Sequence, residues 1–107
     1  MQLEFYWDGA GDPRARCLGP GAVLASFLEG DVQGSGKHGR EILRAIDRIE
    51  AGKLDRWETT GNAYTLTLTP EGASLVSELD DEAKPYRIPL AQIKEAVADW
   101  TAFVEEG

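Results

Sequence analysis

The chain has few of the residue types from which most catalytic and metal sites are built. Its 107 residues include one cysteine, Cys17, and one histidine, His38. A single cysteine excludes an intramolecular disulfide framework and a zinc site built from cysteines. A single histidine disfavours a histidine-rich metal centre and histidine-dependent catalysis. We therefore expect no catalytic residues, no cofactor, no metal and no enzymatic activity.

Positive charge and long apolar runs are also scarce. Eleven Lys and Arg stand against 19 Asp and Glu, which gives a formal net charge of -8 and a pI near 4.5. Nucleic acids and anionic membranes are bound by clustered basic side chains, so neither is an expected partner. No apolar run approaches the roughly 20 residues that span a bilayer. The segment Met1–Asp8 lacks the basic and apolar regions of a signal peptide, so we expect a cytoplasmic protein.

The overall composition is that of an ordinary globular protein. Apolar residues make up 42% of the chain and charged residues 28%, and both fractions lie near globular averages. The length is typical of one domain. We expect residues 1–107 to form a single globular domain.

Alternation of apolar and polar residues predicts strands in both halves of the chain. In the first half, residues 2–7 and 14–18 are predicted to form a hairpin around a turn rich in glycine and proline. In the second half, the predicted antiparallel strands are 54–59, 63–69, 73–79 and a last, short 86–88.

Apolar residues at helical spacing predict three helices. These are 22–29, for which a strand is the alternative, 40–51, and an amphipathic helix at 90–105. The segment between 30 and 39 is predicted to be a flexible polar loop. The fold class is therefore α+β, in the order ββααβββ(β)α. We expect an antiparallel sheet of about five or six strands with two or three helices packed on one face.

Most of the net charge lies in the last third of the sequence. Residues 71–107 hold nine acids and three bases, a net charge of -6, whereas residues 1–70 have a net charge of -2. Such a surface attracts a basic partner; alternatively, it keeps a small protein soluble. On the first interpretation, the predicted partner-binding residues are Glu71, Glu78, Asp80, Asp81, Glu82, Glu95 and Asp99.

Two further segments have a chemical interpretation. Residues 34–39, Gly-Ser-Gly-Lys-His-Gly, precede a predicted helix, and backbone N–H groups at such positions bind anions. The segment does not match the phosphate-binding loop pattern, and whether it binds an anion stays open. Cys17 follows Arg14 and Arg16, and a thiol beside basic side chains is a candidate nucleophile. A buried core thiol is the alternative that we favour.

Several segments resemble the YacL family of small bacterial proteins. Residues 3–8, then Gly11 and residues 14–17, are similar to that family's opening. Residues 56–66 resemble its Trp-x-x-x-Gly-x-x-Tyr-x-Leu hairpin, and Trp100-x-x-Phe103-Val104 resembles its last helix. Residues 19–21, Gly-Pro-Gly, depart from the Gly-His expected there. The family has no established reaction, so the resemblance implies a fold and no catalytic residues.

In size and acidity the chain also resembles the immunity proteins of contact-dependent growth inhibition systems. That resemblance implies a basic toxin domain as partner, often a nuclease, blocked by a complementary acidic surface. We predict a non-enzymatic acidic binding protein that neutralises a basic protein partner, most concretely an immunity protein or antitoxin. The alternative is a stand-alone YacL-like cytoplasmic protein with a housekeeping role. The sequence predicts neither the identity of the partner nor the oligomeric state.

Overall fold

The computed structural model describes residues 3–107, in which six short strands and three α-helices follow one another along the chain. The strands are β1 (Glu4–Trp7), β2 (Pro13–Arg16), β3 (Trp57–Thr60), β4 (Tyr64–Thr69), β5 (Gly72–Ser77) and β6 (Tyr86–Ile88). The helices are α1 (Ala22–Phe27), α2 (Gly36–Glu50) and α3 (Leu90–Glu106). The predicted α+β class and the predicted order of elements are confirmed.

The six strands divide between two antiparallel sheets instead of forming one. β1 and β2 make a two-stranded hairpin, and β3, β4, β5 and β6 make a four-stranded meander in chain order. Two helices separate the hairpin from the meander along the chain. The hairpin packs on α3, where the ring of Phe5 meets Trp100 edge-on at 5.2 Å between centroids. Residues from both sheets and all three helices contribute to one buried apolar cluster.

The amphipathic faces of the helices and of the meander supply this core. Ile42, Ile46 and Ile49 of α2 are buried, as are Leu66 and Leu68 of β4. The spacing of these residues is the helical and the alternating period from which the elements are predicted. Helices α2 and α3 keep polar residues on their other faces. Within residues 3–107, no helix combines the length and the apolar character that crossing a membrane requires.

Helix α2 begins at Gly36, so the predicted flexible loop at 30–39 is wrong over its second half. Ser35 caps the helix, and its Oγ accepts a hydrogen bond from the His38 backbone N–H at 3.1 Å. Gly39 lies against Thr101 of α3 with no space for a Cβ. Close packing and the cap therefore outweigh the poor helix propensity of the two glycines.

The first half of the predicted loop is also regular. Residues Leu28–Val32 continue α1 as one π-helical turn, and the N–H of Gln33 donates to the carbonyl of Leu28 at 2.8 Å. Such turns are uncommon and interrupt a helix at a defined point. We refer to residues 29–33 as the junction segment, because its polar groups contact three other parts of the chain.

Candidate functional site

The seven acids predicted to bind a partner lie in three separate places. Glu71 lies in the turn between β4 and β5, and Glu78 directly follows β5. Since β5 has six residues, its two ends are about 20 Å apart. Glu95 and Asp99 lie one helical turn apart on the exposed face of α3. The structure thus brings residues 78–82 together, and Glu95 together with Asp99, but it does not bring all seven acids together.

Hydrogen bonds within the loop of residues 78–82, and from the neighbouring Ser77 and Thr65, hold this loop in place. Ser77 Oγ accepts from the backbone N–H groups of Leu79 and Asp80, both at 3.1 Å. Asp80 Oδ1 accepts from the N–H of Glu82 at 3.1 Å. Thr65 donates its hydroxyl to the Glu78 carboxylate. Glu78 and Asp80 therefore take part in local structure. Across residues 3–107, no group of three His, Cys, Asp or Glu side chains is placed to hold a metal ion.

Glu95 and Asp99 border a groove between α3 and β1. The groove has a volume of about 470 Å³ and is lined by Leu3, Glu4, Phe5, Gln92, Glu95, Ala96 and Asp99. In the part of the chain that the structure describes, neither the Glu95 nor the Asp99 carboxylate has a cation within 4.0 Å. Glu4 differs, because its carboxylate lies 2.8 Å from the Arg16 guanidinium. The groove therefore has two uncompensated negative charges on its helical side.

The single base of α3 is turned away from the groove. Lys94 Nζ lies 2.9 Å from the Glu50 carboxylate and 3.2 Å from the Asp47 carboxylate, both on α2. The hydrogen bonds to Glu50 and to Asp47 raise the pKa of Lys94 above its ordinary value. Lys94 therefore compensates the charges of Asp47 and Glu50 and not those of Glu95 and Asp99.

Sequence reasoning missed the structural role of Asp31, in the junction segment. Its side chain is nearly buried, at 9% exposure. Its two oxygens accept from the backbone N–H groups of Ala63 and Tyr64, each at 2.9 Å. A Cβ at Gly61 would lie 2.6 Å from the Asp31 carboxyl carbon, so the turn between β3 and β4 requires glycine there. Asp31 therefore joins the turn between β3 and β4 to the helices.

Glu29, also in the junction segment, joins the hairpin to the helices in the same way. Glu29 Oε2 accepts from the backbone N–H of Ala15 in β2 at 2.9 Å. The same oxygen lies 3.2 Å from Nε of Arg14. The sequence signal for both acids is an acidic pair around Gly30 between two apolar residues. Because the partners of Asp31 are more than 30 positions away in the sequence, the local sequence pattern does not predict which residues Asp31 contacts.

Gln33 completes the junction segment with a strained backbone. It has φ 57° and ψ -146° and is the one non-glycine residue with a positive φ among residues 3–107. Such a conformation costs on the order of 1–3 kcal/mol in a residue with a side chain. The indole N–H of buried Trp100 donates to the Gln33 carbonyl at 2.7 Å, and this contact fixes the position of α3 against the segment.

Cys17 and His38 are not brought together. Cys17 lies in an open depression of about 740 Å³ whose lining includes Leu18, Pro20 and Tyr86 but not His38. Burial raises the pKa of the Tyr86 phenol, and the electrostatic influence of the neighbouring Cys17 raises it further. Cys17 is half-buried, so it is neither the fully buried core thiol that we favoured nor fully exposed.

The anion-binding position at the start of α2 is faced by a carboxylate of the protein itself. A Cβ on Gly36 would lie 2.8 Å from Glu105 Oε2. Arg40 of α2 also pairs with the Glu105 carboxylate. The positive end of a helix dipole favours negative charge, and here Glu105 supplies that charge from the C-terminal turn of α3.

Together, the two sheets, the junction segment and the groove define a small α+β protein with an acid-lined groove beside a short hairpin. A family model, described as an uncharacterised protein family (UPF0231), matches residues 1–87. This chain belongs to that family. The match includes β1 and the junction segment and ends before α3, so Glu95 and Asp99 lie beyond it. No curated protein and no solved structure matches the chain.

Proposed function

We propose that this chain is a non-enzymatic binding protein whose acid-lined groove holds a basic protein partner. The observation that carries the proposal is the pair Glu95 and Asp99. Both carboxylates are exposed, border a groove and lack a cation in the described residues. The most specific form of the proposal is an immunity protein or antitoxin that covers a basic, nuclease-type toxin domain.

Electrostatics explains why two such carboxylates are effective in binding. An exposed acid without an internal partner contributes little to folding stability. The same charge attracts an approaching cation over about 8–10 Å at physiological salt and accelerates encounter with a basic surface. We assign Glu95 and Asp99 to the contact itself. The other five predicted acids, Glu71, Glu78, Asp80, Asp81 and Glu82, contribute to the long-range attraction.

Family membership favours the second candidate function. A stand-alone YacL-like cytoplasmic protein with a housekeeping role would share its N-terminal 87 residues with the family and would not need a dedicated toxin. A gene for a basic toxin beside the gene for this chain favours the immunity function. The absence of any stoichiometric partner favours the housekeeping function.

The test is retention of a partner by charge variants of the tagged chain. Wild type, Glu95→Lys/Asp99→Lys and Glu41→Lys/Asp55→Lys are compared on lysate of the source organism at low and high salt. The product of the neighbouring gene is supplied separately if it is toxic. Glu41 and Asp55 are exposed and lie outside the groove lining, so the last variant matches the charge change elsewhere on the surface.

We expect wild type and the charge-matched control to retain one basic protein stoichiometrically at low salt. The Glu95→Lys/Asp99→Lys variant should lose it. Co-expression that relieves toxicity of the retained protein would support the immunity form. Equal retention by all three proteins would refute the assignment to the groove, and no stoichiometric basic partner from either source would refute the binding function.

A further inference from the structure

The hydrogen-bond register of the hairpin decides which backbone groups of β1 are free. Trp7 pairs with Pro13, and one step further the N–H of Asp8 donates to the carbonyl of Asp12 at 2.9 Å. Hydrogen-bonded and non-hydrogen-bonded pairs alternate along an antiparallel ladder. The even-numbered residues of β1 therefore bond to β2. The N–H and C=O groups of Phe5 and Trp7 point away from it.

The outer edge of β2 is closed. The Ala15 N–H, which points away from β1 in this register, is taken by the Glu29 carboxylate at 2.9 Å. Pro13 has no N–H to offer. Side-chain capping and proline are two ways in which proteins protect an exposed sheet edge. No donor of β2 is left for another strand.

The outer edge of β1 has no such protection. Among the hydrogen bonds of residues 3–107, none satisfies the backbone N–H or C=O of Phe5 or Trp7. The strand is nevertheless held in place, because the rings of Phe5 and Trp7 lie 5.6 and 5.1 Å from the ring of Phe103. β1 therefore presents a fixed row of unpaired backbone groups.

The acid-lined groove lies along this open edge. Its lining has Leu3 before β1, Glu4 and Phe5 of β1, and four residues of α3, but neither Trp7 nor any residue of β2. It therefore borders the first half of β1, on the side that faces away from the hairpin partner. Its helical wall has the two free carboxylates of Glu95 and Asp99. A strand added to β1 would therefore run past these charges, with every second side chain directed to one face.

The other sheet edges lack this combination. β6 has three residues and stands between Pro85 and Pro89, which limits pairing. β3 is also an edge strand, and the carboxylate of its Glu58 lies 2.8 Å from Arg56. The negative charge at this edge is therefore compensated. In the described chain, only β1 joins an open edge to a groove with uncompensated charge.

The negative charge of the groove indicates which kind of strand can pair with β1. A second copy of this chain has a net charge of -8, and antiparallel pairing of two β1 strands would bring two sets of Glu4, Glu95 and Asp99 together. Like charges across a strand pair are destabilising. A segment with Lys or Arg at alternate positions meets opposite charge instead.

We infer that the basic partner binds by adding a strand to β1. An extended segment of the partner pairs with the backbone of Phe5 and Trp7, and its alternate basic side chains enter the groove to meet Glu95 and Asp99. This mode of recognition rests on the proposed function and specifies the shape and charge pattern of the segment that is recognised.

The test uses a synthetic probe, the capped hexapeptide acetyl-(Val-Lys)3-amide, and NMR of the ¹⁵N-labelled chain at low salt. Two further peptides carry N-methyl groups at alternate residues, one in each phase, because N-methylation removes the donors on one edge of a strand. A Val-Glu peptide of the same length is the charge control. The chain is used as wild type and as Glu95→Gln/Asp99→Asn.

At saturating Val-Lys peptide, we expect hydrogen exchange of the Phe5 and Trp7 amides to slow at least about tenfold, while that of Ala15 stays unchanged. One N-methylated phase and the Glu95→Gln/Asp99→Asn variant should each weaken binding about tenfold, which corresponds to about 1.4 kcal/mol. The Val-Glu peptide should not bind.

Two results would overturn strand addition. The first is no binding of the Val-Lys peptide. The second is binding without amide protection, with both N-methylated peptides as tight as the parent. In either case the retention experiment with Glu95→Lys/Asp99→Lys decides separately whether the proposed function stands. If that variant still loses the partner, charge recognition holds without strand pairing.

Discussion

The carboxylates of Glu29 and Asp31 accept three backbone hydrogen bonds, whereas those of Glu95 and Asp99 accept none from residues 3–107. All four residues add the same charge to the sequence. The first pair lies where two helices meet and joins β2 and the turn before β4 to the core. The second pair lies on an exposed helix face beside a groove. Acidity alone therefore does not separate acids that hold the fold together from acids that are free to meet a partner; the hydrogen bonds of Glu29 and Asp31 do.

The largest expected effect is on the buried member of the first pair. Asp31→Asn keeps the size of the side chain but turns an NH₂ group toward a backbone N–H of Ala63 or Tyr64. Loss of a charge-assisted bond together with an unsatisfied donor should lower the free energy of unfolding by about 3 kcal/mol. Urea denaturation at neutral pH measures this difference.

The matched control for this prediction is Asp99→Asn on α3. Because Asp99 has no partner within the described chain, its loss should change the free energy of unfolding by less than about 0.5 kcal/mol. Equal destabilisation by the two variants would contradict the distinction between the two pairs of acids.

A smaller effect is expected at Glu29, which is half-buried. Glu29→Gln retains an oxygen for the Ala15 N–H but removes the charge and the ion pair with Arg14. We expect a loss of about 1 kcal/mol of unfolding free energy and faster hydrogen exchange at Ala15. Glu95→Gln is the control and should change neither. Unaltered exchange at Ala15 would show that Glu29 does not close the edge of β2.

The smallest effect concerns Asp8 in the hairpin turn. The backbone N–H of Asp12, with those of Ala10 and Gly11, lowers the pKa of Asp8 below its ordinary value of 3.8. A lowered pKa in the folded state means that the charged form stabilises the fold above pH 3.8. This contribution is lost as the pH falls through the folded pKa.

The variant Asp8→Asn should therefore be less stable than wild type at neutral pH and should approach it as the pH falls below about 4. Thermal unfolding of both proteins across this pH range measures the difference. A difference that is independent of pH would assign the effect to the turn geometry and not to the charge.

Periodicity predicted β4 and α2 because each has a strong apolar face. Leu66 and Leu68 alternate with threonines, and Ile42, Ile46 and Ile49 repeat at helical spacing, so strand and helix were identifiable from local sequence. The division into two sheets was not identifiable from local sequence, because it depends on where the hairpin packs after two intervening helices. The early start of α2 depends on the contact of Gly39 with Thr101, which only the tertiary structure shows.

The candidate site was predictable to a similar degree. The i, i+4 spacing of Glu95 and Asp99 places both on one helix face, and the length of β5 separates Glu71 from Glu78. The groove itself was not predictable, since it forms between α3 and a strand about 90 residues earlier in the sequence. The prediction of a flexible loop at 30–39 rested on the glycine-rich polar run of residues 34–39, whereas the contacts of Asp31 and Gln33 come from residues far away in the sequence.

The central claim is that Glu95 and Asp99 serve a partner and not the fold. The most direct test is to measure, on the single variant Glu95→Lys/Asp99→Lys, both the free energy of unfolding and the affinity for the basic protein that wild type retains. We predict a stability within about 0.5 kcal/mol of wild type. We also predict an affinity at least about tenfold lower, with a weaker dependence on salt. An unchanged affinity in a folded variant would contradict the account.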